Sequence, residues 1–196
     1  MGKYSQFDFL AEELSLIGEK DLLSKIIYKM TKTSSVILTI EVPLSLYLRA
    51  EVFCEDITEL SEMKFNQEDL MNLLFNDFML FAKKKPEPLT IFRLLTSLER
   101  ESEGISNLKQ QQGGNVFKLI HQKREQKMQL LQLRFRRKAA LRGEILLADM
   151  EEVQPEHGYT LEKVLTLLYC DFVDKLRKGN ISAAIDSIIS SLIGPE

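Results

Sequence analysis

Apolar residues recur at intervals of three and four along most of this chain, and that period narrows the folds open to it more than any other feature. Phe7, Leu10, Leu14 and Ile17 form one such set, and Leu22, Leu23, Ile26, Ile27 and Met30 a second. Leu70, Leu73, Leu74, Phe78 and Phe81 follow, then Ile91, Leu94, Leu95 and Leu98. Leu161, Val164, Leu165, Leu168, Phe172 and Leu176 make another set, and Ile181, Ala184, Ile185, Ile188 and Leu192 the last. A helix turns once in 3.6 residues, so each set lies along one side and must be buried against a neighbour. The punctuation agrees. Pro43 suits the first turn of a helix reaching to about Leu60. Asn66 is a good N-cap with Asp69 in the first turn, Lys83, Lys84 and Lys85 oppose the dipole at the far end, and Pro86 stops that helix. Thr160 caps a later helix, and Gly179 stands just past its end.

From Val116 to Val153 the period predicts one long helix, of about 55 Å at 1.5 Å per residue, with Gly143 as a kink or a break. The stretch SSVILTIEV (34–42) is β-branched and reads as a strand, yet no obvious pairing partner stands elsewhere in the chain. A lone strand leaves its backbone groups unsatisfied, so an extended or irregular segment, or an extra helical turn, is expected there. No repeat period is evident. The expectation is an all-α fold, an irregular helical bundle of seven or eight helices with one long helix over 116–153. A chain of 196 residues suits a single all-helical domain, 1–196, or two lobes, 1–103 and 116–196, joined by the Gly- and Gln-rich loop 104–115.

Several classes of function find no support. With 44% apolar and 28% charged residues the chain has enough material for a core and is not of disordered composition. No apolar run approaches the ~18–20 residues of a membrane span. The N-terminus lacks the layout of a signal peptide, and Gln6 stands where a myristoylation pattern needs Ser or Thr. Cys54 and Cys170 lie in helical apolar patterns, as reduced, buried thiols of a cytoplasmic protein do. Phosphate-cradling glycine motifs are absent. Histidine occurs only as His121 and His157; no Glu-x-x-His is present, and the single pair His121 and Glu125 does not make a metal site. Ser-x-x-Lys occurs at Ser61–Lys64 and Ser106–Lys109 without the companion motifs a Ser–Lys enzyme needs. Asp149, Glu151, Glu152 and Glu156 read as a solvated helix end. No catalytic residue, metal or cofactor is expected.

The unusual stretch is KREQKMQLLQLRFRRKAALR (123–142), with eight Lys or Arg against one Glu in a protein of net charge −3. Projected as a helix, Lys123, Lys127, Arg134, Arg137 and Lys138 share about a third of the circumference, beside an apolar stripe of Met128, Leu131, Phe135 and Ala139. Leu130 and Leu141 fall among the cations, which suggests a covered face. An acidic counter-face lies in the same chain, where Glu51, Glu55, Glu59 and Glu62 fall on one side of a helix. The two stripes can pair within one molecule or between two copies, or the basic face can take an external partner. The expected function is that of a non-enzymatic cytosolic adaptor or regulator, binding an acidic protein surface or a second copy of itself, with a homodimer as one form. The alternative is a nucleic-acid-binding accessory protein using the basic face of a helix over 116–142. The rest of the chain is strongly acidic and opposes a polyanion, and no membrane partner is expected.

Overall fold

The computed structural model describes residues 3–18, 33–102, 108–110, 117–119, 126–179 and, near the C-terminus, 185, 188, 189 and 192. In chain order it contains α1 (Phe9–Gly18), β1 (Ser35–Pro43), α2 (Leu44–Ser61), α3 (Gln67–Lys84), α4 (Pro88–Ser102), the short β2 (Leu108–Gln110) and β3 (Phe117–Leu119), β4 (Met128–Arg136), α5 (Arg137–Val153) and α6 (Leu161–Arg177). The protein is mostly helical, as expected, but among the described residues it holds six helices and two small antiparallel sheets. Leu22 to Met30 and Ile181, both expected as parts of helical faces, lie outside the described residues, as do His121, Lys123, Arg124 and Glu125.

The one long helix over 116–153 is not present. Its middle, Met128–Arg136, is a strand, and it supplies the partner that Ser35–Pro43 lacked. The two strands run antiparallel through nine pairs, from Ser35 opposite Arg136 to Pro43 opposite Met128. Leu131, Leu133 and Phe135 alternate with Gln132, Arg134 and Arg136, a period of two. The same residues also cluster their cations on a helical projection, in which that alternation is lost. Val36, Leu38, Ile40 and Val42 of β1 and Leu133 and Phe135 of β4 are buried on the inner face, with Leu131 packed beside them.

Helix boundaries follow local chemistry. The side chain of Asn66 accepts from the N–H groups of Glu68 and Asp69, and Asp69 accepts in return from the Asn66 N–H. The Thr160 hydroxyl accepts from the Lys163 N–H. Gly179, with φ of 77°, takes the left-handed conformation that ends α6. Gly143 neither kinks nor divides α5. A Cβ there would lie 2.7 Å from Leu161 Cδ1 and 3.2 Å from the ring of Phe75, so the glycine permits close packing of α5.

The expected absence of a repeat is also corrected. Strand β1 leads directly into α2, α3 and α4, and β4 leads directly into α5, α6 and the helical residues Ile185, Ile188, Ile189 and Leu192. Leu48-Arg49-Ala50-Glu51-Val52 is echoed by Leu141-Arg142-Gly143-Glu144-Ile145, and Leu73-Leu74-Phe75-Asn76-Asp77-Phe78 by Leu167-Leu168-Tyr169-Cys170-Asp171-Phe172. Ile91, Leu94, Leu95 and Leu98 correspond to the four helical residues near the C-terminus. The backbone keeps the same relation. The Leu44 N–H bonds the Lys127 carbonyl at 2.8 Å, and the Arg137 N–H bonds that of Ser34 at 2.9 Å, so each strand-to-helix corner is tied to the start of the opposite strand. Among the described residues, a β-α-α unit followed by helical residues is thus used twice about an approximate two-fold axis through the ribbon.

The two units interlock. Helix α3 packs on β4, and α6 packs on β1. Phe75 of α3 meets Phe135 edge-on at 5.5 Å, and Phe53 of α2 meets Phe172 of α6 at the same distance. One buried cluster runs through both halves. Within it the Tyr169 hydroxyl donates to Gln67 Oε1 at 2.6 Å, joining α6 to α3.

The N-terminal arm, residues 3–18, breaks the symmetry. The Leu161 N–H bonds the Tyr4 carbonyl, Phe9 is buried, and Glu12 pairs with Arg137. Glu144, which is fully buried, receives the Ser5 hydroxyl and the Leu10 N–H. The arm thus lies across the N-terminal half of α5. Nothing among residues 3–18 does the same for α2.

Candidate interaction surfaces

The antiparallel ribbon has one face in the core and one in solvent. Ser35, Ile37, Thr39, Glu41 and Pro43 point outward opposite Arg136, Arg134, Gln132, Leu130 and Met128. Pairing places Ile37 beside Arg134, and both are exposed. Leu130, at 64% exposure, is among the most solvent-accessible large apolar residues described. Glu41 is the one acid on this face. A paired strand holds these side chains in fixed positions, and its outer backbone edge is occupied. Glu68 Oε2 accepts from the Arg134 N–H, and the Asn72 amide donates to the Arg134 carbonyl. On the β1 edge the Gln6 amide donates to the Thr39 carbonyl.

The expected basic face is redistributed by this strand. Arg134 and Leu130 stand on the ribbon's outer face. Lys127 is exposed just before β4, and Lys138 is exposed in the first turn of α5. Arg137 is withdrawn: it is buried, pairs with Glu12 and stacks on the Phe9 ring at 4.5 Å. Leu141 is half-buried against the core, and Lys123 lies outside the described residues. Arg136 and Ile37 join the face although the helical projection left them out. The period of two in Leu131–Arg136 is the signal for Arg136, and the pairing with β1 brings in Ile37.

The acidic residues do share a helix face. Glu51, Glu55, Glu59 and Glu62 are exposed on α2 or at its end, around Leu48 and Val52, which are 52% and 56% exposed. Among the described residues no ion pair links the two stripes, and none joins these acids to Lys127, Arg134 or Lys138. Between them, Leu44, Ser45, Leu48, Gln126 and Lys127 line an open depression of about 350 Å³.

Among the described residues, both cysteines and His157 are tied into the fold. Burial pushes the Cys54 thiol up to about 12, helped by the charges of Asp69, Glu51 and Glu55, and burial likewise pushes Cys170 up to about 11. Neither is a thiolate near neutral pH. His157 accepts the Tyr159 N–H at Nδ1 and turns Nε2 toward Glu151 and the Leu147 carbonyl, which fixes the turn before α6. Among the described residues no cluster of His, Cys, Asp and Glu is arranged to hold a metal, and no helix is long and apolar enough to cross a membrane. Set against known proteins, the chain matches no family model, no curated protein and no solved structure.

Proposed function

We propose that this is a non-enzymatic cytosolic binding protein, an adaptor or regulator, that docks an acidic protein surface on the outer face of the β1–β4 ribbon. The observation that supports this reading is the composition of that face. Ile37, Met128 and Leu130 supply aliphatic contact, and Arg134 and Arg136 stand toward one end of the face as exposed cations on a paired backbone. Aliphatic anchors contribute burial, while surrounding charges select the partner and speed the encounter. The test is affinity capture from host lysate with the wild-type chain and with Leu130→Asp. A partner retained by the first and lost by the second is expected; identical captured sets overturn the reading.

A second reading, nucleic acid, draws on the exposure of Lys127, Arg134, Arg136 and Lys138, which are spread along β4 and just beyond both of its ends. Four phosphate contacts give a log–log salt slope of about −3.6 on duplex DNA. Anisotropy with labelled duplex and single-stranded DNA and RNA measures it. Binding absent at micromolar protein and low salt ends this reading.

A further inference from the structure

The approximate two-fold axis supplies a comparison inside one molecule. On α5 the face that carries Arg137, Leu141 and Glu144 is covered by the N-terminal arm. The corresponding residues of α2 are Leu44, Leu48 and Glu51. Glu144 is fully buried beneath the arm, whereas Glu51 is exposed; Leu141 is half-buried, whereas Leu48 is 52% exposed. Among the described residues the same helix face is thus built twice and covered once.

The uncovered copy differs in chemistry from the covered one. Leu44 replaces the arginine that holds Glu12 of the arm. Glu55 takes the place of Ala148, and Glu59 and Glu62 extend the acid along the helix. Arg49 and Lys64 are the cations of α2 and its end, and Lys127 sits on the rim of the depression beside Leu44 and Leu48. A complementary occupant therefore presents aliphatic side chains flanked by cations. The outer face of the ribbon in this same chain offers Ile37 beside Arg134 and Arg136 toward one end, with Leu130 opposite its one acid, Glu41, further along, and among the described residues it meets no acid of α2.

Building on the proposed function above, we infer that the acidic surface taken by the ribbon face is the α2 face of a second copy of this chain. Arg134 and Arg136 stand toward the Ser35–Arg136 end of the ribbon and α2 starts from the Pro43–Met128 end, so an antiparallel arrangement of two copies sets each cationic end against the other copy's α2. Two copies related by a two-fold axis make the contact twice, and an assembly of that symmetry closes at the dimer.

The experiment is sedimentation equilibrium on the full chain, from about 1 to about 100 μM protein at about 50 mM salt, where screening of surface charge is weak. The wild type is expected to form dimers and no larger species. Raising the salt to about 500 mM weakens the dimer about tenfold, as a handful of exposed ion pairs requires. Glu55→Lys with Glu59→Lys, and separately Arg134→Glu with Arg136→Glu, each weaken it by at least that factor. These side chains are exposed, so the far-UV circular dichroism of both variants stays as in the wild type. Mixing the two variants restores association, because each contact then joins opposite charges again. A chain that remains monomeric at about 100 μM and low salt overturns the inference. So does a dimer that ignores both reversals, or one that mixing does not restore. If the chain is monomeric and Leu130→Asp still loses a lysate partner, self-pairing is refuted and the proposed function stands; if Leu130→Asp loses none, both fall.

Discussion

Truncating Glu144 tests whether the N-terminal arm is part of the fold or an appendage. Its carboxyl group is fully buried and receives two donors from the arm, the Ser5 hydroxyl and, at 2.6 Å, the Leu10 N–H. Leu10 lies in the first turn of α1, where a backbone N–H has no carbonyl of its own helix to reach. In Glu144→Ala that N–H is left without its acceptor, at a cost of ~1–3 kcal/mol. The Ser5 hydroxyl also loses its acceptor, but it can rotate, and its oxygen keeps the N–H groups of Phe7 and Asp8. Its loss is set at the ordinary net value of a hydrogen bond, ~0.5–1.5 kcal/mol. Relief of burying an acidic group offsets part of this, so the expected loss is ~2–3 kcal/mol. Glu144→Gln should cost less, because the amide oxygen keeps one donor while its NH2 faces the other. Urea melts followed by circular dichroism give the loss. Limited proteolysis adds locality, with cleavage within residues 3–18 rising before the rest of the chain opens. A loss below ~0.5 kcal/mol with unchanged arm cleavage would refute the assignment of Glu144 as the arm's anchor.

Other outcomes follow from single contacts. Gly143→Ala gains ~0.8–1 kcal/mol of helix propensity but drives a methyl into the buried Leu161 and Phe75, at ~1–3 kcal/mol; denaturant melts should show no net gain, and a clear stabilisation would mean α5 has room there. Phe135→Ala removes a buried ring that faces Phe75 and should cost ~3–5 kcal/mol in the same melts. Tyr169→Phe leaves Gln67 Oε1 without its donor and should lower stability by ~1–3 kcal/mol. Glu99 is held below the usual carboxylate range chiefly by its hydrogen bond with Lys163, against burial and with help from the Tyr159 hydroxyl. A depressed folded value stabilises above the unfolded pKa of ~4.3 and is lost as pH falls through the folded one. Glu99→Gln should therefore be less stable than wild type near pH 7, with the gap closing in acid; a gap independent of pH would show that the charge contributes nothing.

Much of the helical structure was legible locally. The stripes through Leu70–Phe81, Ile91–Leu98 and Leu161–Leu176 and the caps at Asn66, Thr160 and Gly179 depend on residues within a turn or two of each other, and those interactions look the same in any fold that keeps the helix. The exposed acidic face of α2 is of the same kind, because helical spacing alone places Glu51, Glu55 and Glu59 together. Strand β4 was different. Residues 128–136 satisfy both a helical wheel and a period of two, and the choice between them lies with Ser35–Pro43, which pairs with it from far away in the chain. A strand becomes favourable only when another satisfies its backbone, so neither segment could be read alone. That pairing moved Arg134 and Leu130 onto the ribbon, while packing of the arm took Arg137 out of the basic face and buried Glu144. The duplication was present in the residues all along, in Leu48–Val52 and Leu141–Ile145. Only tertiary structure decided that, among the described residues, one copy of that face is covered and the other open, because the arm of residues 3–18 packs on α5 and cannot also cover α2.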